Sequence, residues 1–192
     1  MKESYEEFRM KVKKNFENHV ATMKDLGEVK ILEWRNPKSC IYAMQFMIRD
    51  GHLFVTGDCR NAIYSWGNPV NFEFLRTCSL NYFYEKLNSL DSHRPREWDD
   101  EKAMEALREN LEYSEYDDED KEEILKDASG SCFSENEWTA FMYKHDEFST
   151  DDKASLYSAG NTLPTLVKYH LAGLHLAIAQ LSEKEKAPER QG

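Results

Sequence analysis

A chain of 192 residues with 40% apolar content, including ten Phe, ten Tyr and four Trp, can bury a sizeable core, which excludes a disordered protein. A formal net charge of −11 excludes electrostatic attraction to nucleic acid or to an anionic membrane surface and directs attention to basic partners. One domain is expected over residues 1–192, divided into a helix-plus-sheet region (1–90), an acidic helical region (91–182) and a frayed tail (183–192).

The opening Met1-Lys2-Glu3-Ser4-Tyr5 has no apolar run of the kind a secretory signal requires, so a cytoplasmic location is expected. Residues 3–24 place Tyr5, Phe8, Val12, Phe16, Val20 and Met23 three or four apart, which predicts an amphipathic helix closed by Gly27. From residue 29 to 66 the chain is rich in β-branched and aromatic residues broken by turn formers, predicting an antiparallel meander of about four strands. Its strands are expected at 29–34, 40–48, 52–56 and 61–66, with Asn36-Pro37-Lys38-Ser39 as a turn and Asp50-Gly51 as the strongest hairpin signal.

After Gly67-Asn68-Pro69 the pattern becomes helical, with short segments at 71–77 and 79–88 and longer ones at 99–113 and 119–128. Ser134-Glu135-Asn136-Glu137 resembles a capping box that opens the next helix. The last helix, from residue 161 or 162 to about 182, is apolar on most of its circumference. Lys168, His170 and His175 near its middle mark it as a helix of a water-exposed fold rather than a membrane span. Its row Val167, Leu171, Leu174, Ile178 and Leu181 suits either the protein's own core or a homodimer through this helix. The predicted class is therefore α+β: an N-terminal helix, a strand meander, then a mostly helical C-terminal half.

Acidic residues are crowded between Glu97 and Asp127, where thirteen further carboxylates face only Lys102, Arg108, Lys121 and Lys126. The plain reading is a solvated helical surface. The sharper one is that spaced carboxylates imitate a phosphate backbone and enter an arginine-rich groove. On that reading the partner-binding residues are Glu105, Glu109, Glu112, Tyr113, Tyr116, Asp117, Asp118 and Asp120. A calcium loop at Asp117-Asp118-Glu119-Asp120 fails on ligand spacing.

Catalytic signals are thin: no nucleophile elbow, no phosphate loop and no clustered metal ligands are visible, so no cofactor and no metal are expected. Cys40, Cys59, Cys78 and Cys132 are widely spaced and read as buried thiols. His52 with Cys59 and Asp58, at a sheet rim, is the arrangement an alternative function would use, as a small metal-binding hydrolase or nuclease. His93-Arg94-Pro95-Arg96 would suit a phosphate or an acidic partner, or pairing with the protein's own acidic helix.

Trp34-Arg35-Asn36-Pro37-Lys38-Ser39 with Ile41-Tyr42, Leu53-Phe54-Val55-Thr56-Gly57-Asp58 and Ala62-Ile63-Tyr64-Ser65-Trp66 resemble a family of small phage-borne accessory proteins. That family has a Pro-x-Ser-x-Ile-Tyr pattern, a central Gly-Asp and an aromatic strand, followed by acidic helices. The resemblance spans roughly residues 34–87. Gly57 and Asp58 match it as turn and sheet-rim residues, while Cys59 stands where a small residue is expected. By analogy with other phage accessory proteins, it implies an inhibitor of a host nucleic-acid-targeting defence complex, of the anti-CRISPR type. Such a protein would bind a basic nucleic-acid-binding complex such as a CRISPR effector and would not touch nucleic acid itself.

Overall fold

A computed structural model describes residues 3–91, 96–145 and 148–186. The chain forms two compact units: Met1–Pro95 with Pro164–Gly192, and Arg96–Leu163. The second is an insertion between the sheet and the last helix, and its start lies close to the expected onset of the acidic region at residue 91.

The first unit begins with α1 (Tyr5–Val12), which has Ser4 as N-cap and a capping box with Glu7. A short 3₁₀ turn, Lys13–Phe16, ends it. Beyond that point the expected helix gives way to strand β1 (Val20–Asp25). Phe8, Val12 and Phe16 continue a row of spacing four on the core side, but Val20 and Thr22 are β-branched. Every residue of β1 pairs with β2 (Lys30–Arg35), from Val20 opposite Arg35 to Asp25 opposite Lys30. Gly27, with φ +80, shapes this hairpin turn instead of closing a helix.

The meander continues through β3 (Met44–Arg49), β4 (His52–Gly57) and β5 (Ala62–Ser65), and a sixth strand, β6 (Leu87–Leu90), completes an antiparallel sheet in sequential order. Residues 40–43, expected inside a strand, form a turn before β3. Asp50 and Gly51 have φ of 48 and 75, the doubly positive geometry of a type I′ hairpin turn. Alternation puts Leu32, Trp34, Met44, Phe46, Ile48, Leu53, Val55, Ala62 and Tyr64 in the core. The helices α2 (Phe72–Leu75) and α3 (Leu80–Glu85) link β5 to β6, with Asn71 and Ser79 as N-caps.

In the second unit α4 (Asp100–Glu112), α5 (Asp118–Ser129), α6 (Glu135–Lys144) and α7 (Thr150–Leu156) surround a separate core. Trp138, Leu107, Leu111 and Met142 lie at its centre. A two-residue pairing of β7 (Glu97–Trp98) with β8 (Asn161–Thr162) brings the ends of this segment together. The tryptophan N–H groups are satisfied inside it, Trp98 donating to the Cys132 carbonyl (2.7 Å) and Trp138 to that of Leu156 (2.9 Å).

The last helix, α8 (Thr165–Lys186), returns to the first unit and lies on the sheet, touching α1, α2 and α3 as well as β1, β2 and β3. Val167, Leu171, Leu174 and Ile178 are buried there and Leu181 packs against them, so the row that also suited a second helix is occupied by the protein's own core. No helix among the described residues is long and apolar enough to cross a membrane.

Candidate functional site

Charge separates by unit. Residues 96–163 hold seven Lys and Arg against 21 Asp and Glu, a net of −14, and the rest of the chain holds 18 against 15, a net of +3. In the acidic unit two carboxylates do helix work. Asp99 caps α4 by accepting from the Lys102 N–H at 3.0 Å, and Asp117 caps α5 by accepting from the Asp120 N–H at 2.9 Å. Asp118, Glu119 and Asp120 occupy the first turn of α5, where the helix dipole favours negative charge.

In α4, Asp100 and Glu101 likewise lie in the first turn, but Glu105, Glu109 and Glu112 further along have no such local use. Ala103, Met104, Leu107 and Leu111 turn one face of α4 into the core. Glu101, Glu105, Glu109 and Glu112, spaced four, four and three apart, fall within about 80° of arc on the opposite side. All four are exposed, and no ion pair among the described residues engages them. They span about 16 Å of helix axis, a charge roughly every 5.5 Å, on the order of the 3.4 Å per phosphate of one duplex strand. Like charges at these spacings destabilise an isolated helix by about 0.2–0.5 kcal/mol per pair.

Tyr113 follows the row at the α4 C-cap and is 86% exposed. Tyr116 is turned inward, edge-on to Phe148 with ring centroids 6.3 Å apart. Asp127, at the far end of α5, is neutralised: Lys144 Nζ lies at 2.7 Å and His145 Nε2 at 2.8 Å. These two bonds, that of Lys144 foremost, hold its carboxyl below the usual carboxylate range. Of the eight residues singled out from the sequence, the structure thus puts Glu105, Glu109, Glu112 and Tyr113 on exposed α4 and its cap. Asp117, Asp118 and Asp120 sit at the start of α5, and Tyr116 serves the core. Glu101 completes the row and was missed. Its spacing of four from Glu105 was the signal.

The Gly57-Asp58 turn lies in the other unit and has a structural use. Asp58 Oδ2 accepts from the Tyr42 N–H at 2.7 Å, and the Asp58 N–H donates to the Ala43 carbonyl at 2.9 Å. The aspartate thereby holds Tyr42 at φ 56, in the left-handed region. The Tyr42 ring stacks on that of Tyr169 at 5.5 Å and 8°. His52 opens β4 and Asp58 and Cys59 follow its end, which separates them by most of a six-residue strand, on the order of 17 Å. His52 Nδ1 instead donates to the Asp50 carbonyl at 2.9 Å. Cys59 is buried, and burial pushes its thiol up to about 11. Among the described residues no group of three or more His, Cys, Asp or Glu could hold a metal ion. Cys78 and Cys132 are also buried, but Cys40, expected to be so, is exposed. The segment His93-Arg94-Pro95 lies outside the described residues.

The two histidines of α8 are built into the first core in the same way. His170 Nε2 donates to the Cys59 carbonyl at 2.8 Å and its Nδ1 accepts from the Tyr64 hydroxyl at 2.8 Å. His175 Nε2 donates to the Leu75 carbonyl at 3.1 Å and its Nδ1 accepts from the Tyr5 hydroxyl at 3.1 Å. Burial pushes both imidazoles down to about 4, so at neutral pH each is an uncharged bridge with both nitrogens engaged.

Comparisons with protein families, with curated proteins and with solved structures gave no match. The chain is an α+β protein with an N-terminal helix, a six-stranded antiparallel sheet and a helical remainder.

Proposed function

We infer that the acidic helical unit is a binding surface for the cationic groove of a nucleic-acid-processing protein, and that the chain inhibits such a protein by occupying the groove. The particular form we favour is a phage-encoded inhibitor of a host defence complex, of the anti-CRISPR type. The observation that carries the reading is the exposed row Glu101, Glu105, Glu109 and Glu112 on one side of α4, which no ion pair among the described residues engages. Like charges at these spacings cost helix stability, whereas apposition to arginines converts the same charges into binding energy. The net charge of −14 on this unit supports steering toward a basic surface.

The test is a charge reversal that leaves the helix caps alone, so Asp117 is kept and Glu105, Glu109 and Glu112 become lysine. The triple variant should weaken binding to an RNA-guided nuclease by at least about a hundredfold and flatten the dependence of affinity on salt. Wild-type protein should compete with duplex DNA for the nuclease. Unchanged affinity in the variant, or wild-type binding indifferent to duplex DNA, would remove the acidic surface from the explanation.

A further inference from the structure

On the first unit, away from the acidic helices in sequence and opposite in charge, a cavity of about 490 Å³ opens between α1, the α2–α3 connection and α8. Its size is within the range of small-molecule sites. Its walls are Tyr5, Glu6 and Arg9 from α1, residues 76–81, and His175. Arg9 is half-buried, held near the Tyr5 ring at 6.0 Å from the centroid, and its guanidinium has no carboxylate partner among the described residues. A second arginine, Arg76, lines the same cavity and is tied to Glu73 at 2.5 Å in an exposed pair. Thr77, Ser79 and Asn81 add polar groups, and Tyr5, Cys78 and Leu80 supply an apolar floor. His175 gives the cavity rigidity but not a ligand, because both its nitrogens are already bonded to Tyr5 and Leu75.

A half-buried arginine with five donors and no ion-pair partner gains from a multi-oxygen acceptor, and a second arginine lining the same cavity suits a tetrahedral dianion better than a single carboxylate. We propose that this cavity binds a small phosphate monoester, its phosphate between Arg9 and Arg76 and its organic body over Tyr5 and Leu80. The site is independent of the acidic surface, so the failure of either leaves the other standing.

The test is a titration of the isotopically labelled full chain with inorganic phosphate and with phenyl phosphate at constant ionic strength, read by amide chemical shifts. Saturable shifts confined to residues 5–9 and 76–81 are expected, with phenyl phosphate binding more tightly than inorganic phosphate. Arg9→Gln and Arg76→Gln should each weaken binding at least about tenfold with the remaining spectrum unchanged. Glu73→Gln, which releases Arg76 from its pair, should tighten it. An absence of saturable shifts, full affinity in Arg9→Gln, or weaker binding in Glu73→Gln would overturn the proposal.

Discussion

Gly57 shows how much one residue decides in the sheet unit. With φ +130 it ends β4, and a Cβ placed there would run into the Ala43 carbonyl oxygen, so the residue is excluded from substitution by both conformation and space. The following Asp58 then anchors Tyr42, whose ring lies on Tyr169 of α8. Gly57→Ala should therefore destabilise the protein by about 2–3 kcal/mol in urea unfolding. Gly27→Ala, at φ +80 with nothing within 4 Å of the new methyl, should cost only about 1 kcal/mol. Equal losses for the two would show that the Ala43 contact has no weight. The Gly-Asp pair was readable in the sequence as a turn, but its partner at Tyr42, sixteen residues away, was not.

Among the elements, β1 is one of the two edge strands of the sheet and would present unpaired backbone groups to any neighbour. The far end of α8 covers it. Gln180 Oε1 accepts from the Ala21 N–H at 2.8 Å, Gln180 Nε2 donates to the His19 carbonyl at 3.0 Å, and Lys184 Nζ donates to the Ala21 carbonyl at 3.2 Å. Gln180→Ala should cost about 1–2 kcal/mol and accelerate hydrogen exchange at the Ala21 amide before it affects β3 or β4. Unchanged exchange at Ala21 would mean that the glutamine does not close the edge. In the sequence Gln180 is one polar residue late in an apolar helix, and nothing local marks it as the cover of a strand 159 positions earlier. The α4 row was closer to the opposite case. Glu105, Glu109 and Glu112 were legible from spacing and charge, whereas Glu101 was missed and Tyr116, just beyond the helix, is drawn to the second core.

At the scale of the molecule the two units differ in what should unfold them. The first buries His170 and His175 uncharged, with folded values near 4 against an ordinary 6.5, and burial likewise lowers His19. In the window between 6.5 and 4 the unfolded chain binds protons that the folded one does not, so stability rises with pH there. It should be level above about pH 7 and fall as the pH drops through 6.5 toward 4, by up to about 3 kcal/mol for each of the two α8 histidines. Urea unfolding read by exchange of β3 amides would show this, and a midpoint constant from pH 7 to 4.5 would contradict it. The second unit, at net −14, should gain about 1 kcal/mol between low and high salt as repulsion along α4 is screened, read at the α4 amides. A salt response of the opposite sign would mean that its carboxylates are already paired.

The sequence by itself determined the class, the Asp50-Gly51 hairpin, the cap residue Ser134 and the site of the negative charge, because each of these rests on neighbours a few positions apart. Tertiary structure decided that residues 20–25 are a strand, since Val20 to Asp25 gain six paired positions on β2 that no local pattern supplies. It also decided that α8, adjacent in sequence to the acidic helices, belongs to the sheet and covers its apolar face with Val167, Leu171, Leu174 and Ile178. Burial of a large apolar face against the element that best fits it outweighs proximity along the chain, and that choice is made by shape and area rather than by local propensity.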